Sequence, residues 1–209
     1  MKGTRHPIRE WGKNTMKVRF WTVQKLDVIT ALLQYGTYQP SFEYSDYAAI
    51  IPGLPELYDF LLNSYNHVNG TNLPGLVFAF LEQGEEGIYD FPNYATFVRF
   101  IRSHRHALKS MWEHLASLNT VVLCVEKELD FNAMCLDLND FQYLMPPVRP
   151  MPPFPDDYER IVKSALWNGQ MIHPIFPSNV LQAHLPDIRQ TEVIGIFPMF
   201  GLDVPEQSD

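Results

Sequence analysis

The apolar positions near the start of the sequence change from a period of two to a helical period. Residues 17–23 alternate between apolar and polar side chains and include β-branched and aromatic types, which predicts a strand. Apolar residues then recur at helical spacing until Gly36, a residue type that often ends helices. We therefore expect a strand followed directly by an amphipathic helix. The apolar helical positions are Leu26, Ile29, Leu32 and Leu33.

The next region predicts a helix and then a buried strand. Apolar residues fall at i, i+3, i+4, i+7, i+8 and i+11 from position 54, and Pro55 suits the first turn of a helix. The short apolar run 76–81 is typical of a central strand, and the polar segment 82–87 predicts an exposed acidic loop. The apolar helical positions are Leu54, Leu57, Tyr58, Leu61, Leu62 and Tyr65.

One long helix is predicted over 94–115, followed by a strand at 120–125. The polar side of this helix carries a basic stripe formed by Arg99, Arg102, Arg105 and Lys109. On an acidic protein such a stripe suits an acidic partner or a phosphate chain. The alternative is a solvated helix face whose cations pair with Asp and Glu.

The last third of the sequence contains more prolines and shorter elements. A short helix is predicted up to Leu144, and the proline-rich segment 146–155 predicts an extended strap. We expect a helix from 158 to 166, another around 180–184 capped by Ser178, and a final strand at 192–197. Three regions follow: a basic arm at 1–15, one domain at 16–200 and a polar tail at 201–209.

Composition places these elements in one globular unit. Of the 209 residues, 46% are hydrophobic and 19% charged, a ratio typical of a packed core. The pattern predicts a single α+β domain with a small mixed or antiparallel sheet packed by several long helices. The net charge of −8 argues against general nucleic-acid binding. Only two cysteines and no long apolar run occur, so we expect a cytoplasmic protein without a membrane span.

Aromatic and structural motifs occur in six segments of the chain, at 20–24, 33–36, 57–61, 74–80, 121–126 and 136–141. These segments resemble one family of bacterial and phage proteins, which is catalogued as domain of unknown function 3841, and the similarity covers 16–197. The aromatic-Ala-aromatic segment of that family usually carries tryptophans, where this sequence has Phe78 and Phe80. The resemblance implies a shared fold and no particular activity.

Four polar positions occur in a suggestive order along the chain: Arg19 on the first predicted strand, then Ser41 or Ser45, and then Gln190 and Glu192 before the last predicted strand. This order resembles the ADP-ribosyltransferases. Those enzymes place an Arg or His on an early strand, a Ser or Tyr after it, and a Gln-x-Glu motif before a late strand. The resemblance implies NAD as cofactor and a Glu192 carboxylate that stabilises an oxocarbenium-like centre. The alternative is that Glu192 merely begins an exposed strand.

Common catalytic and metal-binding motifs are absent from the sequence. His104 and His106 would point in different directions on a helix, so they do not predict a metal site. Asp and Asn residues near 137–140 are typical of caps and turns. We therefore expect a non-enzymatic interaction or regulatory domain without a cofactor, which binds a macromolecular partner through the basic stripe or the strap. The alternative is an NAD-dependent transferase.

Overall fold

The computed structural model describes residues 17–44, 53–128, 134–145 and 154–203, which form an α+β fold. The predicted arm at 1–15, Ser45 and most of the proline-rich strap lie outside the described residues. The helices are α1 (Leu26–Tyr35), α2 (Leu54–Asn69), α3 (Tyr94–Ser103), α4 (Arg105–Ser117), α5 (Leu138–Leu144) and α6 (Tyr158–Trp167). The strands are β1 (Lys17–Lys25), β2 (Thr37–Tyr38), β3 (Val77–Gly84), β4 (Gly87–Tyr89), β5 (Thr120–Glu128), β6 (Met134–Asp137), β7 (Val180–Leu185), β8 (Ile188–Arg189) and β9 (Val193–Pro198).

Seven of these strands form one antiparallel sheet. Its order is β6-β7-β3-β1-β5-β9, and β4 pairs with the end of β3. Strands β2 and β8 form a separate pair. Alternate side chains of a strand point to opposite faces of the sheet. On β1, Val18 and Phe20 belong to the core on the face that we call the first face, and Trp21 and Val23 belong to the core on the second face.

The helices cover the two faces unequally. Helix α1 packs on the first face through Val28 and Leu32. On the second face, α3 and α4 pack around Trp21 and Trp112, while α2, α5 and α6 pack against β6 and the start of β3. The second face therefore carries two separate groups of helices, and the sheet forms the floor between them.

Local patterning correctly predicted most elements. The strand at 17–23 and the helix that follows it are β1 and α1, and α1 ends at Gly36, whose φ of 73° lies in the left-handed region. The helix that begins at 54 is α2, and the apolar run 76–81 belongs to β3 in the middle of the sheet. The predicted α5, α6, β5 and β9 are confirmed as well, each within a few residues.

The single long helix predicted over 94–115 is instead two helices that meet at His104. The hydroxyl of Ser103 donates to the Phe100 carbonyl oxygen, and His104 Nδ1 lies 2.9 Å from the same oxygen. Side chains that bond to main-chain carbonyls compete with the helical ladder, which explains the break.

Two further predictions were wrong about secondary structure. The segment around 180–184 is not a helix but β7, which pairs with β3 on one side and β6 on the other. The segment 82–87 is not an open loop but a hairpin, in which β3 continues to Gly84 and β4 begins at Gly87. Gly87 has a φ of 143°, which favours glycine at this turn.

The first residues of the predicted polar tail are docked on the domain. Leu202 is buried in the core of the second face. Trp112 Nε1 donates to the Phe200 carbonyl oxygen at 2.9 Å, and Arg102 Nε donates to the Gly201 carbonyl oxygen at 3.2 Å. The folded unit therefore extends beyond the expected boundary at 200.

Candidate ligand-binding cleft

Strands β1 and β3 are neighbours that pair at only one position, Trp21 opposite Phe80. Beyond this pair the end of β1 and the start of β3 separate, and we call the gap between them the fork. The Thr22 hydroxyl donates to the Phe78 carbonyl oxygen across the fork at 2.6 Å. Toward the other end of β1, the Arg19 amide bonds to the Asp90 carboxylate. Side chains therefore replace ladder hydrogen bonds on both sides of the single pair.

The fork opens into a cleft of about 550 Å³. The cleft is lined on the second face by β3, β7, α4 and α5, and it extends to the start of α1 on the first face. This volume lies within the range of about 300 to 1,000 Å³ that is usual for small-molecule sites. The cleft occupies the space left between the two groups of helices.

Aromatic rings form one wall of the cleft. The ring of Phe78 lies 5.9 Å from Phe42, 5.2 Å from Tyr58 and 6.3 Å from Phe141, measured between centroids. All four rings line the cleft, as does Phe80. Aromatic surfaces of this kind favour apolar or flat ligands.

Gln182 supplies a polar group at the floor of this cleft. It lies on β7 between Phe80 of β3 and Leu136 of β6, and only 3% of its surface is exposed. Its side-chain oxygen has no hydrogen-bond partner within the described part of the chain. An unsatisfied buried oxygen costs free energy, so it is unusual unless a ligand completes it.

His184 is the next residue on the same face of β7. It is fully buried, and its ring packs edge-on against Phe78 at 4.9 Å. Burial lowers the pKa of His184 to about 3, and the main chain of Met134 opposes this shift. A neutral His184 stabilises the fold above its ordinary pKa near 6.5, and this stability is lost as the pH falls toward 3.

Asp140 is a second buried titratable group, placed on α5 behind the cleft wall. Tyr158 donates its hydroxyl to one carboxylate oxygen at 2.8 Å, and the other oxygen has no partner among the described residues. Burial raises the pKa of Asp140 to about 6; the Tyr158 hydroxyl opposes this shift and the charge of Asp137 adds to it. Asp137 has a different role, because its carboxylate caps α5 through the Asn139 amide.

Replacing Asp140 with Asn should stabilise the protein at neutral pH by about 1 to 3 kcal/mol. The raised pKa means that the Asp140 contribution is fully present below about pH 4 and is lost as the pH rises to about 6. Urea unfolding at several pH values should therefore show a gain at pH 7 that shrinks as the pH falls from about 6 to about 4. Asp59→Asn, at an exposed position on α2, is the control. Equal effects of the two variants at pH 7 would contradict the prediction.

The predicted transferase residues do not share one site. Arg19 Nε lies 3.2 Å from Glu126 Oε2, and these residues are directly opposite each other on β1 and β5. Lys127, the next residue, points to the opposite face and bonds to Glu192. Arg19 and Glu192 are therefore on opposite faces of the sheet, and one small ligand could not contact both. Ser41 lines the cleft.

Glu192 and Gln190 instead help to hold the chain before β9. The Glu192 carboxylate accepts hydrogen bonds from Lys127 Nζ and from the Arg189 amide. The main-chain amide of Gln190 donates to the carbonyl oxygen of Gly36 at the end of α1. The Glu192 side chain and the main chain at Gln190 therefore make structural contacts.

The basic stripe is divided between two helices. Arg99 and Arg102 lie on α3, and Arg105 and Lys109 lie on α4. The guanidinium of Arg102 bonds to Gly201 and lies 5.7 Å from the centroid of the Phe200 ring. Lys109 pairs with Glu113 at 3.8 Å. Arg99 and Arg105 are exposed, and their binding to a partner remains a prediction.

Sequence reasoning missed Gln182 because it assigned the segment to a helix. The available signal was the spacing of Gln182 and His184 between apolar neighbours at 181, 183 and 185. Polar residues two positions apart share one face of a strand but not one face of a helix.

Comparison with protein-family models, with curated proteins and with solved structures found no match to this chain. The two family resemblances noted above therefore remain predictions. No helix in the described ranges is long and apolar enough to cross a membrane. The described residues also contain no group of three or more His, Cys, Asp or Glu side chains that could hold a metal ion.

Proposed function

We propose that this protein is a non-enzymatic regulatory domain that binds a small, largely apolar molecule in the cleft. The observation that carries this proposal is the cleft itself, which has the volume of a ligand site, an aromatic wall and a buried polar group. Because the ligand occupies the cleft, a macromolecular partner would bind to the exposed surface of the domain.

The distribution of titratable groups supports binding rather than catalysis. Groups with strongly shifted pKa values often mark catalytic sites. Among the described residues with a shifted pKa, Tyr38 lines the cleft, and burial raises its pKa. Asp140, Tyr158 and His184 are not part of the lining. The described residues that line the cleft therefore include no group whose pKa is shifted toward neutral pH.

A neutral fluorescent amine, N-phenyl-1-naphthylamine, should bind the protein, and Met111→Trp should weaken this binding at least about tenfold. Met111 lies on α4 and lines the cleft, so a larger side chain there fills the space that the dye would occupy. The measurement is a fluorescence titration of the folded protein.

Ser110→Trp is the matched control, because position 110 is the exposed neighbour of Met111 on the same helix. It should leave the dye affinity unchanged. Equal binding by the wild type and both tryptophan variants would place the dye outside the cleft and would overturn the proposal.

A further inference from the structure

Gln182 differs from the other glutamines of the cleft lining, because its side chain makes no hydrogen bond to the described residues. Gln24 donates through Nε2 to the Thr22 hydroxyl, and Gln142 donates through Nε2 to the Ala107 carbonyl oxygen. The Gln182 side chain makes no such bond within the described residues, and its oxygen is buried without a partner.

The two cross-strand neighbours of Gln182 offer its side-chain oxygen no hydrogen-bond donor. Phe80 and Leu136 flank it on β3 and β6, and both side chains are apolar. The same strand could carry an apolar residue here at a lower free-energy cost, because a buried oxygen without a partner destabilises the fold. Gln182 lines the cleft, so a molecule bound there can approach this side chain.

We infer that the molecule held in the cleft is an uncharged, flat or aromatic compound whose N–H or O–H group donates to the side-chain oxygen of Gln182. This inference rests on the proposed function and names the chemistry that the cleft recognises.

The charges of the lining agree with an uncharged ligand. Asp27 is exposed in the first turn of α1, and Lys25 ends β1, so both lie at the α1 end of the cleft. The floor at Gln182 has the aromatic wall beside it, and a charged group placed there would lose its hydration without an opposite charge to replace it.

The decisive experiment compares two dye-sized compounds of nearly the same shape. N-phenyl-1-naphthylamine carries an N–H donor, and 1-phenoxynaphthalene has an ether oxygen at that position. The wild type should bind the amine about tenfold more tightly than the ether, as expected for one buried hydrogen bond. Competition titrations measure both affinities. A wild type that binds the ether as tightly as the amine would overturn the inference.

Gln182→Met should remove this preference and bind the two compounds with equal affinity. Its thermal midpoint should be no lower than that of the wild type, since the variant loses an unsatisfied buried oxygen. Gln34→Met is the matched control and should keep the tenfold preference, because Gln34 is exposed on α1 and does not line the cleft. A Gln182→Met variant that folds and still prefers the amine would also overturn the inference.

Failure of this inference can be distinguished from failure of the proposed function. If Met111→Trp weakens binding of both compounds while Gln182→Met leaves their ratio unchanged, the cleft binds ligands but Gln182 does not select a donor. If Met111→Trp leaves both affinities unchanged, the proposed function and the inference fail together.

Discussion

Replacing Lys127 with Met should lower the free energy of unfolding by about 3 to 5 kcal/mol. The Lys127 side chain is only 5% exposed, and its Nζ lies 2.8 Å from Asp187 Oδ1 and 2.5 Å from Glu192 Oε2. Removing the cation leaves two mostly buried carboxylates close together, and the exposed Arg189 guanidinium beside Asp187 compensates only part of their charge. Removing one partner of a buried ion pair costs far more free energy than the intact pair contributes to stability.

Urea unfolding at pH 7 measures this effect. Adding Glu192→Gln to Lys127→Met should recover part of the deficit, because it removes one of the two facing carboxylate charges. Lys109→Met, which breaks an exposed pair with Glu113, is the control and should change stability by less than about 0.5 kcal/mol. A double variant as unstable as Lys127→Met alone would show that lost packing rather than charge causes the effect.

Replacing Trp112 with Ala should lower the free energy of unfolding by a similar amount, about 3 to 5 kcal/mol. Trp112 is fully buried on α4, and its ring packs against Phe80, Phe97 and Phe200. It also donates to the Phe200 carbonyl oxygen, which fixes the chain after β9. The variant therefore loses core volume and the attachment of the segment 199–203.

Trp112→Phe separates these two losses, because it keeps an aromatic ring and removes the N–H donor. We expect it to cost about 1 to 2 kcal/mol and to increase hydrogen exchange in the segment 199–203. Trp167→Phe is the matched control, since Trp167 is 42% exposed on α6, and it should have little effect. Unchanged exchange in Trp112→Phe would show that packing alone holds this segment.

The ion pairs of Lys127 with Asp187 and Glu192 also explain why the order of the transferase-like residues did not predict a shared site. Arg19 and Glu192 are far apart in sequence, and their order agrees with the ADP-ribosyltransferase pattern. Whether they meet depends on the pairing of β1 with β5, which pairs Arg19 with Glu126 and sends Lys127 to the other face. Strand alternation then separates Arg19 from Glu192. Residue order contains no information about this register.

The sequence by itself determined the elements whose pattern is local. Apolar spacing within α2 and the change of period between β1 and α1 predicted both correctly, because each element buries one face of its own residues. The order of the predicted elements likewise indicated an α+β fold, and the composition indicated a packed core. These features depend on neighbours within about ten residues of the chain.

Only the tertiary structure decided the features that depend on distant partners. β7 is a strand because β3 and β6 satisfy its main-chain groups on both sides, and this pairing outweighs the helical propensity of its residues. The cleft exists because β1 and β3 pair only at Trp21 and Phe80 and then separate. The residues of either strand do not predict this gap, because each strand is regular by itself and the gap depends on the distance between the two.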